Sequence, residues 1–368
     1  MSRPTGGPSD RPVDPSPEAL IAGARTVTPL RPLLVRHTGG TRRLWLKLEQ
    51  ENPTGSIKYR TALGLLAALS ERLPLTPGSR VVESTSGNLG LALAHLLPRM
   101  GCRFLAVVDP KVPSTVQELM RSHGAEVHEV TERDAHDGYL LTRLAKVAEL
   151  RAADPVLRWT DQYHSPAGPA VHRRVTAAEL AEQTGGEVDA VLVAVSTGGT
   201  LAGVSEGLRA RTSGLRVLAV DVQGSLATGD RAHAHLLTGI GATRRSSLLR
   251  PGHYDLAVRV RDVEAFACCR MLSEDTGLRI GGSGGAVLSA YLAQREDGLR
   301  HARRPVAVVA DGARNYLTTC YDDAWLDEKG IAELVHAEMA RARSEGVSFA
   351  FEQQPTSPTR PLARRVDQ

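Results

Sequence analysis

In Gln50-Glu51-Asn52-Pro53-Thr54-Gly55-Ser56-Ile57-Lys58-Tyr59-Arg60 a strand ends and a helix begins. The alternating run Leu44-Trp45-Leu46-Lys47-Leu48-Glu49 before it reads as a strand, and the apolar-periodic segment Thr61 to Leu73 after it reads as a helix. Asn52-Pro53 and Thr54-Gly55 are turn dipeptides that separate the two. Lys58 therefore stands near a helix N-terminus, the end that disfavours a cation. It is either a solvated surface lysine or an amine whose neutral form is favoured by its setting, ready to bond to a carbonyl carbon.

The same strand-then-helix grammar recurs along the chain. Arg80 to Glu83, Phe104 to Val108 and Glu126 to Val130 read as strands, with helices predicted at Asn88 to Leu97, from Pro113-Ser114, and at Gly138 to Leu150. A second series follows: strand Val191 to Val195, a helix to Arg209, strand Val217 to Asp221 and strand Val306 to Ala310. Continuous β-branched runs alternating with helices predict parallel sheets covered on both faces, an α/β fold in two lobes. Both chain ends are polar and proline-rich, which predicts disorder there.

Composition narrows the class. The 368 residues are 42% hydrophobic and 23% charged, ordinary values for a globular protein large enough for two lobes. Aromatics make up only 4%, against a base-stacking platform, and the net charge of +4 forms no basic stripe, so no nucleic-acid partner is expected. Cys102, Cys268, Cys269 and Cys320 form no CxxC pair, so neither a metal site nor a disulfide framework is expected. No apolar run would span a bilayer and no apolar leader is visible, so a cytoplasmic protein without a membrane partner is expected.

Several loops stand where open α/β sheets bind ligands, at strand ends and helix starts. Thr85-Ser86-Gly87-Asn88 offers hydroxyls and backbone N–H groups to an anion such as a carboxylate, or is a plain helix cap. Ser196-Thr197-Gly198-Gly199-Thr200 suits a phosphate, though no Gly-Lys-Ser/Thr follows and it is no nucleotide P-loop. Gly281-Gly282-Ser283-Gly284-Gly285 also precedes a helix, but it completes no dinucleotide fingerprint.

Taken in order, these loops resemble the cysteine synthase (β-replacement) family of fold-type II pyridoxal-phosphate enzymes over roughly residues 25 to 321. The resemblance implies two three-layer αβα lobes with the cofactor between them. It places residues 20–62 and 163–345 in a larger cofactor-binding domain, 63–162 in a smaller mobile substrate domain, and 1–19 and 346–368 in flexible tails. It implies pyridoxal 5'-phosphate joined to the catalytic Lys58, its ring hydroxyl met by Asn88, its phosphate by Ser196, Thr197, Gly198, Gly199 and Thr200, and its ring nitrogen by Ser283. Thr85, Ser86, Gly87 and Asn88, assisted by Gln162, would grip the substrate carboxylate. A homodimer acting on small amino acids is the family expectation.

The departures point to a branch. Tyr59 stands where the family usually has Asp, Leu89 where Thr is common, and Gly284 where a second Ser is common. The Ser-Gly-Asn-Leu-Gly loop and the tail Tyr321-Asp322-Asp323-Ala324-Trp325 are similar to the branch that makes 2,3-diaminopropionate precursors for siderophores and antibiotics. That branch implies β-replacement on O-phospho-L-serine through an aminoacrylate, with L-glutamate as nucleophile. Cysteine synthesis from sulfide with O-acetyl- or O-phospho-L-serine, β-elimination without a second substrate, and a non-catalytic cofactor-binding protein are the alternatives. Arg60 is a candidate for a leaving phosphate or an outward surface residue, and Ser225 for a cofactor neighbour or a turn residue. Gly239-Ile240-Gly241 is a candidate rim, and His164 and His172 read as structural.

Overall fold

The structure, a computed structural model, describes residues 12–134, 138–295 and 297–352. In chain order its strands are β1 (Leu30–His37), β2 (Gly40–Leu48), β3 (Arg80–Ser84), β4 (Arg103–Val108), β5 (Glu126–Glu129) and β6 (Arg158–Trp159). They continue with β7 (Ala190–Ala194), β8 (Arg216–Val222), β9 (Leu256–Val260), β10 (Pro305–Val309) and β11 (Ser348–Phe351). They form a seven-stranded sheet of order β11-β1-β2-β10-β7-β8-β9 and a four-stranded sheet of order β5-β4-β3-β6.

The smaller sheet is parallel throughout, and so is the larger one from β2 to β9. Fully buried runs such as Val191 to Val193 and Val306 to Val309 sit at its centre, where helices cover both faces. One edge of the larger sheet is antiparallel. β1 pairs antiparallel with β2 on one side and with β11 on the other, in a register that sets Leu33 opposite Leu44 and Phe351. Pro32 and the charged Arg31 and Arg36 interrupt the apolar pattern of β1, as suits a strand near an edge.

Both tails are shorter than expected. The helix Pro17–Gly23 is capped by Ser16, whose hydroxyl accepts from the Ala19 N–H, and it buries Leu20, so order begins before residue 20. At the other end β11 lies inside the expected tail from 346, held by its pairing to β1 and by the burial of Phe349. The remaining tail segments, 1–11 and 353–368, lie outside the described residues. The boundary expected between residues 62 and 63 falls inside the helix Lys58–Arg72. From Ala62 onward this helix joins Leu63, Leu65 and Leu66 to an apolar cluster with Val81, Leu93 and Phe104 of the smaller sheet's layer. Ile57, one residue before it, belongs instead to a cluster of the larger sheet.

This architecture aims several strand ends at one place. Chain leaves the carboxyl ends of β2, β3, β7 and β10 into the Lys58 loop, the Thr85–Asn88 loop, the Ser196–Thr200 loop and Asp311.

Candidate active site

Lys58 opens the helix Lys58–Arg72 after a loop stitched to β10: the Ile57 N–H donates to the Ala310 carbonyl at 2.8 Å, and Ser56 bridges to Asp311. Two residues on, the Arg60 guanidinium is fully buried between Glu49 (2.8 Å) and Glu179 (2.7 Å) and also donates to the Ala24 carbonyl. Both expectations for Arg60 are therefore corrected. It is neither outward nor free to meet a leaving phosphate, and its pairing fixes where the helix starts. Lys47 and Thr28 complete this cluster against Glu179 and Glu49.

The pocket at Lys58 is lined by Ser56, Thr85 to Leu89, Gln162, Ser196, Thr197, Ser283 and Asp311. So the carboxylate loop, the ring-nitrogen serine and the lysine, far apart in sequence, meet. An adjoining cavity joins Lys58 to Ser196, Thr197, Gly198 and Thr200. Gly199 lies just behind as the first residue of the helix Gly199–Arg209. Gly198 adopts φ +84°, and a Cβ there would come within 2.6 Å of Leu249, so glycine is required on both conformational and steric grounds. The N-terminus of the helix Gly199–Arg209 and its preceding N–H groups form the kind of cradle that takes a phosphate.

Burial drives the titration of the site. Lys58 is lowered from 10.5 to about 8 chiefly because its surroundings are protein rather than water; Asp311 and Glu83 pull it back only in part. Asp311 is raised to about 6 by burial, against hydrogen bonds from Asn88, Tyr316 and Ser283 that favour its charged form. Those donors lie at 2.7 Å (Asn88 Nδ2), 3.1 Å (Tyr316 hydroxyl) and 3.3 Å (Ser283 hydroxyl). A Cβ on Gly281 would collide with this carboxylate, so the glycine run before Ser283 lets Asp311 approach. Glu83, behind the carboxylate loop, is raised to about 7 by burial.

Asp311 was not singled out among the sequence candidates, nor were Asn315 and Tyr316, which line the same pocket. The available signal was position: Asp311 lies just beyond the carboxyl end of an apolar strand, as the other loops do. Asn315 Nδ2 donates to Asn88 Oδ1 at 2.8 Å, so the Asn88 amide is held from both ends.

The expected substrate residues differ among themselves. Ser86 is exposed in the pocket, whereas the Thr85 hydroxyl turns inward and accepts from the N–H groups of Gly87 (3.2 Å) and Gly90 (2.8 Å). Thr85 thus braces the loop while Ser86 faces what enters. Gln162 donates through Nε2 to the Ser84 carbonyl at 2.7 Å and through its backbone N–H to Glu83. It lines the pocket and holds the loop's base.

Of the weaker candidates, Gly239 lies on the rim and Ser225 is a turn residue whose Oγ accepts from the N–H groups of Ala227 and Ala242, both at 3.0 Å. His164 sits at the surface with Asp161. His172 is fully buried against Thr61 (2.9 Å) and Thr176 (3.0 Å) and is lowered to about 3, so it is a neutral strut between helices. Tyr59 packs its ring edge-on to His95, 6.3 Å between centroids, away from the lysine pocket.

A model of the pyridoxal-phosphate dependent enzyme family matches residues 21–312. The chain belongs to that family. It is 38% identical over 302 residues to N-(2-amino-2-carboxyethyl)-L-glutamate synthase of Ralstonia nicotianae, covering 81% of this chain and 88% of that one. It is 37% identical over 286 residues to the enzyme of the same name from Cupriavidus metallidurans, covering 77% and 84%. Among solved structures, O-ureido-L-serine synthase superposes with a TM-score of 0.74 at 28% identity, over 83% of this chain and 98% of that one. The fold is fold-type II and the protein is a pyridoxal-phosphate dependent enzyme.

The site fits that cofactor on its own chemistry. An amine of lowered basicity, a glycine cradle at a helix N-terminus and the Ser283 hydroxyl converge, and the Ser56 hydroxyl, which lines the same pocket, is buried without a hydrogen-bond partner among the described residues.

Proposed function

We propose that this enzyme replaces the phosphate of O-phospho-L-serine with the amine of L-glutamate, giving N-(2-amino-2-carboxyethyl)-L-glutamate. The observation that carries the choice of leaving group is Arg143. Its side chain is almost wholly buried; Nε faces Asp109 at 3.1 Å, the Tyr163 hydroxyl lies close by, and Nη1 meets no hydrogen-bond geometry among the described residues. It lines a cavity with Ser86, Tyr163 and Ser196, residues that also line the Lys58 pocket. A buried guanidinium paired with a single carboxylate and with N–H donors to spare, beside the reacting centre, favours a substrate that brings an anion with it, as a phosphate ester does and an acetate ester does not. The names of the curated relatives support the same product.

In this reading Lys58 would carry the cofactor, the Ser196–Thr200 cradle would hold its phosphate, and Asn88 and Ser283 would meet its ring hydroxyl and ring nitrogen. Bound pyridoxal phosphate supplies the electron sink that acidifies the substrate α-carbon. Ser86 and the N–H groups of the Thr85–Asn88 loop bind the substrate carboxylate, with Gln162 behind them. Lys58 Nζ, once freed, takes the α-proton, and its lowered basicity lets a useful fraction be neutral near pH 8. The β-carbon–oxygen bond breaks with its electron pair leaving on the phosphate, toward Arg143. The glutamate amine then bonds to the β-carbon, and Lys58 returns its proton to the α-carbon. The smaller sheet's unit closes over the site and excludes water. With this activity go a homodimer, a cytoplasmic setting and a role in supplying 2,3-diaminopropionate for siderophores or antibiotics.

The test is a substrate matrix of O-phospho- and O-acetyl-L-serine against L-glutamate and sulfide, with products identified by mass spectrometry. The proposal expects the glutamate adduct from phosphoserine as the main product, and Arg143→Ala to raise the KM for phosphoserine. Cysteine as the only product, from either ester, overturns it.

A further inference from the structure

The steps proposed above make no use of Asp311, a buried residue and the one carboxylate among the described residues that lines the lysine pocket. Its backbone is held from two sides. The Gly281 N–H donates to the Asp311 carbonyl at 3.0 Å, and the N–H of the next residue, Gly312, donates to the Gly55 carbonyl at 3.4 Å. Ser56 bridges to Asp311 and Ile280 to Gly312. The loop before Lys58 and the loop before Ser283 thus grip the same short segment after β10, and the carboxylate is set between them.

Its two oxygens have different partners. Oδ2 is anchored: it accepts from Asn88 Nδ2 at 2.7 Å and from the Tyr316 hydroxyl at 3.1 Å. Oδ1 accepts from the Ser283 hydroxyl at 3.3 Å and, among the described residues, from nothing else. An ionised carboxylate can only accept, so the Ser283 proton points to Asp311 and away from any third group. What Ser283 then offers the pocket is its oxygen lone pairs. Burial raises Asp311 only to about 6, which leaves it ionised near pH 8, where Lys58 becomes neutral.

We propose that Asp311 is a positioning residue that acts through Ser283 to keep a proton on the cofactor's ring nitrogen. This rests on the placement of Ser283 against that nitrogen given above. A serine whose own proton is engaged can hydrogen-bond a ring nitrogen only as acceptor, so the nitrogen must carry the hydrogen. The buried negative charge behind the serine works in the same direction, because a nearby opposite charge favours the ionised form of a group. A protonated ring draws electrons from the substrate α-carbon more strongly than a neutral one, and this is what the pair adds to the reaction. A serine with no carboxylate behind it is free to donate instead, and then it matches the neutral ring.

The test loads wild-type, Asp311→Asn and Ser283→Ala holoenzymes with pyridoxal phosphate labelled with nitrogen-15 in the ring, and reads the nitrogen chemical shift by NMR at about pH 8. The wild type is expected to give the shift of a protonated ring nitrogen. Asp311→Asn keeps the shape of the side chain but can donate to Ser283, so the serine turns its proton to the ring and the signal moves to that of a neutral nitrogen. Ser283→Ala is expected to move it the same way. A wild-type signal at the neutral position overturns the proposal, whether or not either variant folds. A protonated signal that Ser283→Ala shifts and Asp311→Asn does not overturns the role of Asp311 alone. One that Ser283→Ala leaves in place overturns the placement of Ser283 as well.

Discussion

Lys47 is fully buried and Lys58 half-buried on the wall of its pocket, and loss of water lowers the basicity of each. Their company differs. Lys47 is fully buried and meets Glu179, Gln183 and the Thr28 carbonyl, so its charge is matched group by group. Lys58 feels Asp311 and Glu83 only at a distance and makes no hydrogen bond to either. A buried cation with a full set of partners is supported in its charged form against the burial that lowers it, and removing a partner leaves an uncompensated charge. A half-buried amine with no hydrogen-bond partner among the described residues is free to lose its proton and to form a bond. Lys47, Glu49, Arg60 and Glu179 hold the loop; Lys58, at the end of that loop, is the residue proposed to do the chemistry.

The comparison breaks most visibly at Lys58 itself. Lys58→Ala should abolish turnover, a loss of at least about a thousandfold, and remove the visible colour of the covalently held cofactor. The apo-protein's denaturation midpoint should stay level or rise, since a half-buried amine with no hydrogen-bond partner among the described residues is gone. Next in size is Glu179→Gln, which strips charge from the paired cluster. A loss of roughly 3–5 kcal/mol of stability is expected in denaturant titration. The cofactor spectrum of the protein that remains folded should be retained.

A smaller effect follows from titration. The base must be the neutral amine, and its value is lowered from 10.5 to about 8. Turnover of phosphoserine should therefore rise with pH through about 8 and level above it, an onset far below that of a solvated lysine. A profile that is flat through this range would mean that another group takes the proton. The smallest effect is expected at Tyr59. Because its ring packs on His95 outside the pocket, Tyr59→Phe should leave kcat and both KM values within about twofold of wild type.

Tyr59 also shows what a sequence does and does not convey. It departs from the family pattern beside the key lysine, and so it invites a role in specificity. Yet neighbours on a helix point about 100° apart, so the residue after Lys58 is turned away by geometry alone. The lysine loop, the Thr85–Asn88 loop and the Ser196–Thr200 cradle were legible because each is a short run of glycine and hydroxyl residues between an apolar strand and a helix. Ser283 was legible in the same way, but the carboxylate behind it was not. Asp311 reaches Ser283 and Asn88 only through the folding of both sheets' loops together. Arg60 was misread for the same reason, since Glu179, its partner, is distant in sequence. The β1–β11 pairing, which shortens the C-terminal tail, joins the two ends of the fold and has no local signature.

The contrast between the two lysines reduces to which of them holds the cofactor. Borohydride treatment of the holoenzyme fixes the cofactor to the amine that carries it, and peptide mass mapping then locates the added mass. The account predicts a single pyridoxyl adduct on the peptide containing Lys58, lost if phosphoserine is added first. An adduct on Lys47, or none on Lys58, would contradict it.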